Sequence, residues 1–113
     1  MDSVVPGAPR HEVVLAAELE TPTRSRLAVT RELSADGARL LSMGRFQPGE
    51  AVTLSMLVAR SQSKVRAPGK VVFAEPFYVS GPWRCQLVVQ FDQPLDAASE
   101  TMLVSSVVEG EPQ

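Results

Sequence analysis

The residues best equipped for chemistry are the run Glu32-Leu33-Ser34-Ala35-Asp36-Gly37 and the arginine Arg10, which stands 22 residues before Glu32. A guanidinium presents a rigid planar fork that matches phosphate oxygens, and its face can stack on a planar ring. A carboxylate accepts hydrogen bonds from N–H donors, and glycine lets the backbone come close to a neighbour. This is the chemistry of holding a ligand, not of breaking a bond.

The remaining reactive residue types offer less. His11 is the only histidine, so a metal site would need distant carboxylates or Cys85, with no ligand-like spacing to support it. Cys85 alternates with Trp83 and Leu87 in an apolar run and reads as a small buried hydrophobe. Glu18 and Glu20 share one face of a strand and read as a solvated face. There is no phosphate-cradling glycine loop and no catalytic motif, so neither an enzyme nor a cofactor is expected.

A ladder of short strands must position these residues. Val13 to Glu20 reads as a strand closed by Thr21-Pro22-Thr23, and Arg26 to Leu33 alternates with the period of a half-buried strand. Ala38 to Ser42 follows, with Asp36-Gly37 supplying the positive φ that a tight hairpin asks for. Gln47-Pro48-Gly49-Glu50 is a turn, and Ala51 to Val58 alternates again. In Val65 to Ala74, Pro68-Gly69 suggests a bulge or an edge irregularity. Trp83 to Phe91 sets Trp83, Cys85, Leu87, Val89 and Phe91 on one core face. Asp96 is suited to cap a helix over Ala97 to Val108, with Ala98, Met102, Leu103 and Val104 as its buried stripe. The expected fold is all-β with one C-terminal helix, an antiparallel barrel of about six strands whose closure removes exposed edges.

Composition sets the outer bounds. A chain of 113 residues, 44% hydrophobic, suits one domain. We divide it into a Pro/Gly-rich arm over 1–9, a barrel with its helix over 10–109, and a tail over 110–113. A net charge of -2 and a pI near 5.4 exclude generalised attraction to DNA, RNA or anionic lipid. The aromatic residues are interleaved with acids, which also disfavours a nucleic-acid stacking surface. One cysteine, no signal-like N-terminus and no membrane-length apolar run lead us to expect a cytoplasmic protein without membrane insertion. Phe77-Tyr78-Val79, in a loop flanked by proline and glycine, would suit a protein partner if exposed.

The Glu32 to Gly37 run resembles the Asp/Asn-x-Ser-x-x-Gly motif of PilZ domains, bacterial receptors for cyclic di-GMP, with Glu32 in the acidic position and Ser34 and Gly37 matching. Gln47-Pro48-Gly49-Glu50, Gly69-Lys70-Val71-Val72-Phe73 and Val88-Val89-Gln90-Phe91 are similar to PilZ sequence in kind and order. The resemblance implies a six-stranded barrel, a turn that wraps one guanine, and an Arg-x-x-x-Arg motif that holds phosphates and guanine edges. Arg10 is the one arginine of that motif here. If it is the second, the first falls on Pro6; if it is the first, the second falls on Val14. Losing one charged fork, at about 1.5–3 kcal/mol per charge-assisted bond, lowers affinity by roughly 10- to 100-fold or more. Arg24, Arg26, Arg31, Arg39 and Arg45 are near in sequence, and strand alternation allows only a subset of them to converge.

The resemblance therefore implies a non-enzymatic adaptor in bacterial cyclic di-GMP or motility signalling that binds partner proteins. Its weak ligand site would comprise Arg10, Glu32, Ser34 and Gly37. The competing reading is a protein-interaction module that has lost nucleotide binding. The partner and the oligomeric state are not specified by the sequence.

Overall fold

The computed structural model describes residues 9–58, 61–77 and 81–109. Its strands are β1 (Arg10–His11), β2 (Ala16–Glu20), β3 (Ser25–Ser34), β4 (Gly37–Ser42), β5 (Ala51–Val58), β6 (Ser63–Pro76) and β7 (Cys85–Phe91), followed by the helix α1 (Ala97–Glu109). All pairings are antiparallel, in the order β1-β3-β2-β5-β6-β7-β4, and a further β3–β4 pairing closes β2 to β7 into a six-stranded barrel. The two-residue β1 lies outside that ring, alongside β3.

The barrel closes around inward side chains that alternate along each strand. Leu19, Leu33, Leu40, Leu54, Met56 and Leu87 have no exposed surface, and each such burial contributes about 1.5–3 kcal/mol. Leu103 of α1 is also fully buried in this core, so the helix docks against the barrel through it. Asp96 caps α1 by accepting the Ser99 amide at 2.7 Å. That backbone bond, reinforced by the Ser99 side chain, holds the Asp96 carboxyl below the usual value of 3.8.

Several details depart from the sequence pattern for identifiable reasons. The strand expected from Val13 begins only at Ala16, although Val13 and Leu15 are buried. The buried Thr30 hydroxyl accepts the Leu15 amide at 2.9 Å and donates to the Val13 carbonyl at 2.7 Å, so a side chain replaces part of a ladder there. Pro68-Gly69 is not a bulge: both residues pair in regular register with β5, and the shift in β6 falls at Val72. Gly69 instead admits the Gln90 carbonyl, which a Cβ would meet. The β3–β4 turn consists of Ala35 and Asp36, with Ser34 opposite Gly37. Positive φ values among the described residues fall at Gly49, Gln62 and Gly81, so the expected positive-φ turn at Asp36-Gly37 is absent.

Trp83 precedes β7 and is only half-buried, whereas Cys85, Leu87, Val89 and Phe91 face the core as the alternation requires. The buried stripe of α1 is rotated by one residue: Leu103 and Val104 pack inward with Ser99 and Glu100 beside them, while Ala98 and Met102 are exposed. Residues 1–8 of the arm, the tail over 110–113, and Tyr78 and Val79 lie outside the described residues.

Candidate functional site

A β-bulge builds the site. In the β3–β4 ladder Thr30 pairs with Leu40 and Glu32 with Arg39, leaving Arg31 as the extra residue. Strict alternation would turn Glu32 into the core. The extra residue resets the alternation, so Arg31 and Glu32 both face outward beside Arg39. The outward row continues across the barrel from Glu32 to Arg39, Val88 and Phe73. A second bulge ends that row, where Val72 and Phe73 are each 46% exposed.

Glu12, Val14, Arg31, Glu32, Arg39 and Gln86 line a groove of about 410 Å³ on this outer face. Its charges are concentrated at Glu32. One carboxylate oxygen, Oε1, lies 3.5 Å from Arg39 Nη2 and 3.6 Å from Arg10 Nη1, so a single acceptor serves two guanidiniums. These groups are partly exposed, and each pair is worth no more than about 1 kcal/mol. The Arg39 Nε is buried with no hydrogen-bond partner among the described residues. A buried donor in that state costs about 1–3 kcal/mol. Three guanidiniums, those of Arg10, Arg31 and Arg39, thus face two carboxylates, those of Glu12 and Glu32.

The four residues singled out from the sequence fall into two places. Arg10 and Glu32 join the ion cluster, while Ser34 and Gly37 shape the turn. Ser34 is fully buried; its hydroxyl donates to the Gly37 carbonyl at 3.4 Å and accepts the Asp36 amide at 3.2 Å. The turn is pinned from outside, because Phe91 donates to the Asp36 carbonyl and Leu95 to the Ala35 carbonyl. Arg10 sits opposite Ser34 in the β1–β3 pairing, and the adjacent His11 Nε2 lies 3.1 Å from Glu100 Oε2 of α1. One short strand therefore links the groove to the helix.

Of the five neighbouring arginines, Arg31 and Arg39 join Glu32. Arg24 stacks over Phe46 at 4.1 Å and pairs with Glu50 at 3.1 Å, lining a separate pocket with Arg45. Arg26 donates to the Ser25 carbonyl. The position of Arg39 follows from the turn: with Ser34 opposite Gly37, counting back two pairs sets Glu32 against Arg39. Arg31 depends on the bulge, and Gln86 on the β4–β7 register, neither of which has a local sequence signal. Among the described residues no group of three or more metal-binding side chains occurs, and no helix is long and apolar enough to cross a membrane.

Among known protein families, the PilZ domain matches residues 7–109. A search of curated proteins returned no match. Among solved structures, the Bacillus subtilis inhibitor of motility (MotI/DgrA) is similar with a TM-score of 0.64 at 15% identity, over 91% of this chain and 49% of that one. The chain spans about half the length of that protein, and the likeness is one of fold.

Proposed function

This chain belongs to the PilZ domain family, and we propose that it is a non-enzymatic adaptor that takes cyclic di-GMP weakly in the outer groove of β3 and β4 and passes that state to a protein partner. The observation that carries this reading is the unbalanced cluster at Glu32, where one oxygen is shared by two guanidiniums and Arg39 retains an unpaired buried donor. Arg10, Arg31 and Arg39 are the forks for phosphate oxygens or for the O6 and N7 acceptors of guanine. Glu32 can accept from the guanine N1 and N2 donors, and Ser34 and Gly37 hold the turn that presents it.

Weak affinity is expected because the ligand must compete with Glu32 for its own arginines. Transmission to a partner has a physical route: an anion drawing on Arg10 acts on β1, which His11 ties to Glu100 of α1. Ligand and partner would then be thermodynamically coupled. The solved neighbour is named as an inhibitor of motility, and control of motility in the bacterial cytoplasm is the setting we assign. Constitutive protein binding without nucleotide is the second reading, favoured by Pro6 and Val14 in the alternative arginine positions and by the exposed Val72 and Phe73.

Calorimetric titration with cyclic di-GMP tests the choice. Micromolar binding that is lost in both Arg10→Ala and Arg39→Ala supports the receptor. No heat at near-millimolar nucleotide rejects it and leaves the ligand-independent module.

A further inference from the structure

The 14-residue strand β6 is shared between two neighbours: Ser63 to Lys70 pair with β5, whereas only Gly69 to Pro76 pair with β7. Beyond Phe91 the chain leaves the barrel, and its last bond to β6 runs from the Asp92 amide to the Pro68 carbonyl. The direction of the free backbone groups can be read from the ladder. Val71 exchanges bonds with Gly49 and Glu50 on the β5 side, and Pro68 accepts from the β7 side. By strand alternation, Lys64 and Arg66 direct their N–H and C=O groups to the side β7 has vacated. Among the described residues, no strand pairs with them there.

A groove of about 460 Å³ runs along this edge, floored by Val65, Ala67 and Leu95 and bounded on the far side by Asp92 and Asp96. Unpaired strand polarity specifies its complement, an extended backbone laid in line with β7. Charge specifies more. Lys64 projects from the outer face of the strand and Lys70 continues its row, while Arg66 between them reaches across β5 to Ser55 and to Glu20 Oε1 at 2.9 Å. An added strand would set its outward side chains beside the Lys64 ammonium, with Lys70 further along the row, and its inward ones over a small apolar floor.

We propose that the free edge of β6 from Ser63 to Ala67 is a strand-addition site for an extended peptide of a partner protein, with acidic side chains at alternate positions and small apolar ones between. Five residues give an edge of about 17 Å, enough for a segment of similar length. The alternative is that the cations and Pro68 guard the edge against any pairing.

The test uses the whole chain and two seven-residue peptides, one alternating glutamate with valine and one alternating lysine with valine. Binding is read by fluorescence anisotropy, and its place by amide shifts and hydrogen exchange. The glutamate peptide is expected to bind at least about tenfold tighter than the lysine peptide and to slow exchange of the Lys64 and Arg66 amides. Lys64→Glu, an exposed change that leaves the barrel folded, should reverse the preference. Equal binding of both peptides, no binding of either, shifts centred elsewhere, or occupation of the edge by a second copy would overturn the proposal.

Discussion

The two faces of the β3–β4 hairpin are built on opposite terms. Inside, Thr30, Leu33, Ala38 and Leu40 are at most 1% exposed, and the only polar group among them has both bonds made, to Val13 and Leu15. Outside, Arg31, Glu32 and Arg39 remain partly open, with one carboxylate oxygen between two guanidiniums and one buried donor unmatched. The inner face has its polar group fully paired and the outer face does not. A single extra residue, Arg31, divides them, because it turns Glu32 away from the core without disturbing Leu33 behind it.

If the inner face holds the fold, substitutions there should dominate stability. Leu40→Ala and Leu87→Ala are each expected to cost about 2–5 kcal/mol in urea unfolding, with Arg39→Ala costing less than about 1 kcal/mol. A comparable loss at Arg39 would make the outer face structural. Thr30→Val should cost about 2 kcal/mol and speed amide exchange at Leu15, since it orphans buried groups at Val13 and Leu15 without opening a cavity.

A smaller effect sharpens the contrast from outside the hairpin. Asp96 has a lowered carboxyl pKa in the folded chain, so its contribution is fully present above about 3.8 and is lost as pH falls through the lower folded value. Asp96→Ala should lower the melting temperature at pH 7, and the gap to the unsubstituted protein should narrow below pH 3.8. The smallest change is expected for Arg31→Ala, within about 0.5 kcal/mol in stability, while it weakens anion binding.

The parts of the molecule open to sequence reasoning are those governed by local periodicity. Cys85, Leu87, Val89 and Phe91 fall inward because a strand alternates, and Asp96 caps α1 because its side chain suits the first turn. Bulges break that logic. Nothing in Thr30-Arg31-Glu32 distinguishes an inward Glu32 from an outward one, and Pro68-Gly69 mimics a bulge that lies instead at Val72. The site is legible to the same degree. Arg10 and Glu32 stand out by type, Arg39 follows once the turn is counted, and Gln86 enters only through a strand distant in sequence.

The central claim is that Glu32 is an internal counter-ion that competes with an anionic ligand for Arg10 and Arg39. The direct test is the affinity of Glu32→Gln for cyclic di-GMP beside that of the unsubstituted protein, at fixed salt. The amide keeps an acceptor oxygen and removes the competing charge, so binding should tighten by about 3- to 10-fold. Weaker binding in Glu32→Gln would show that the Glu32 charge holds the ligand more than it competes for the arginines, and would contradict the account.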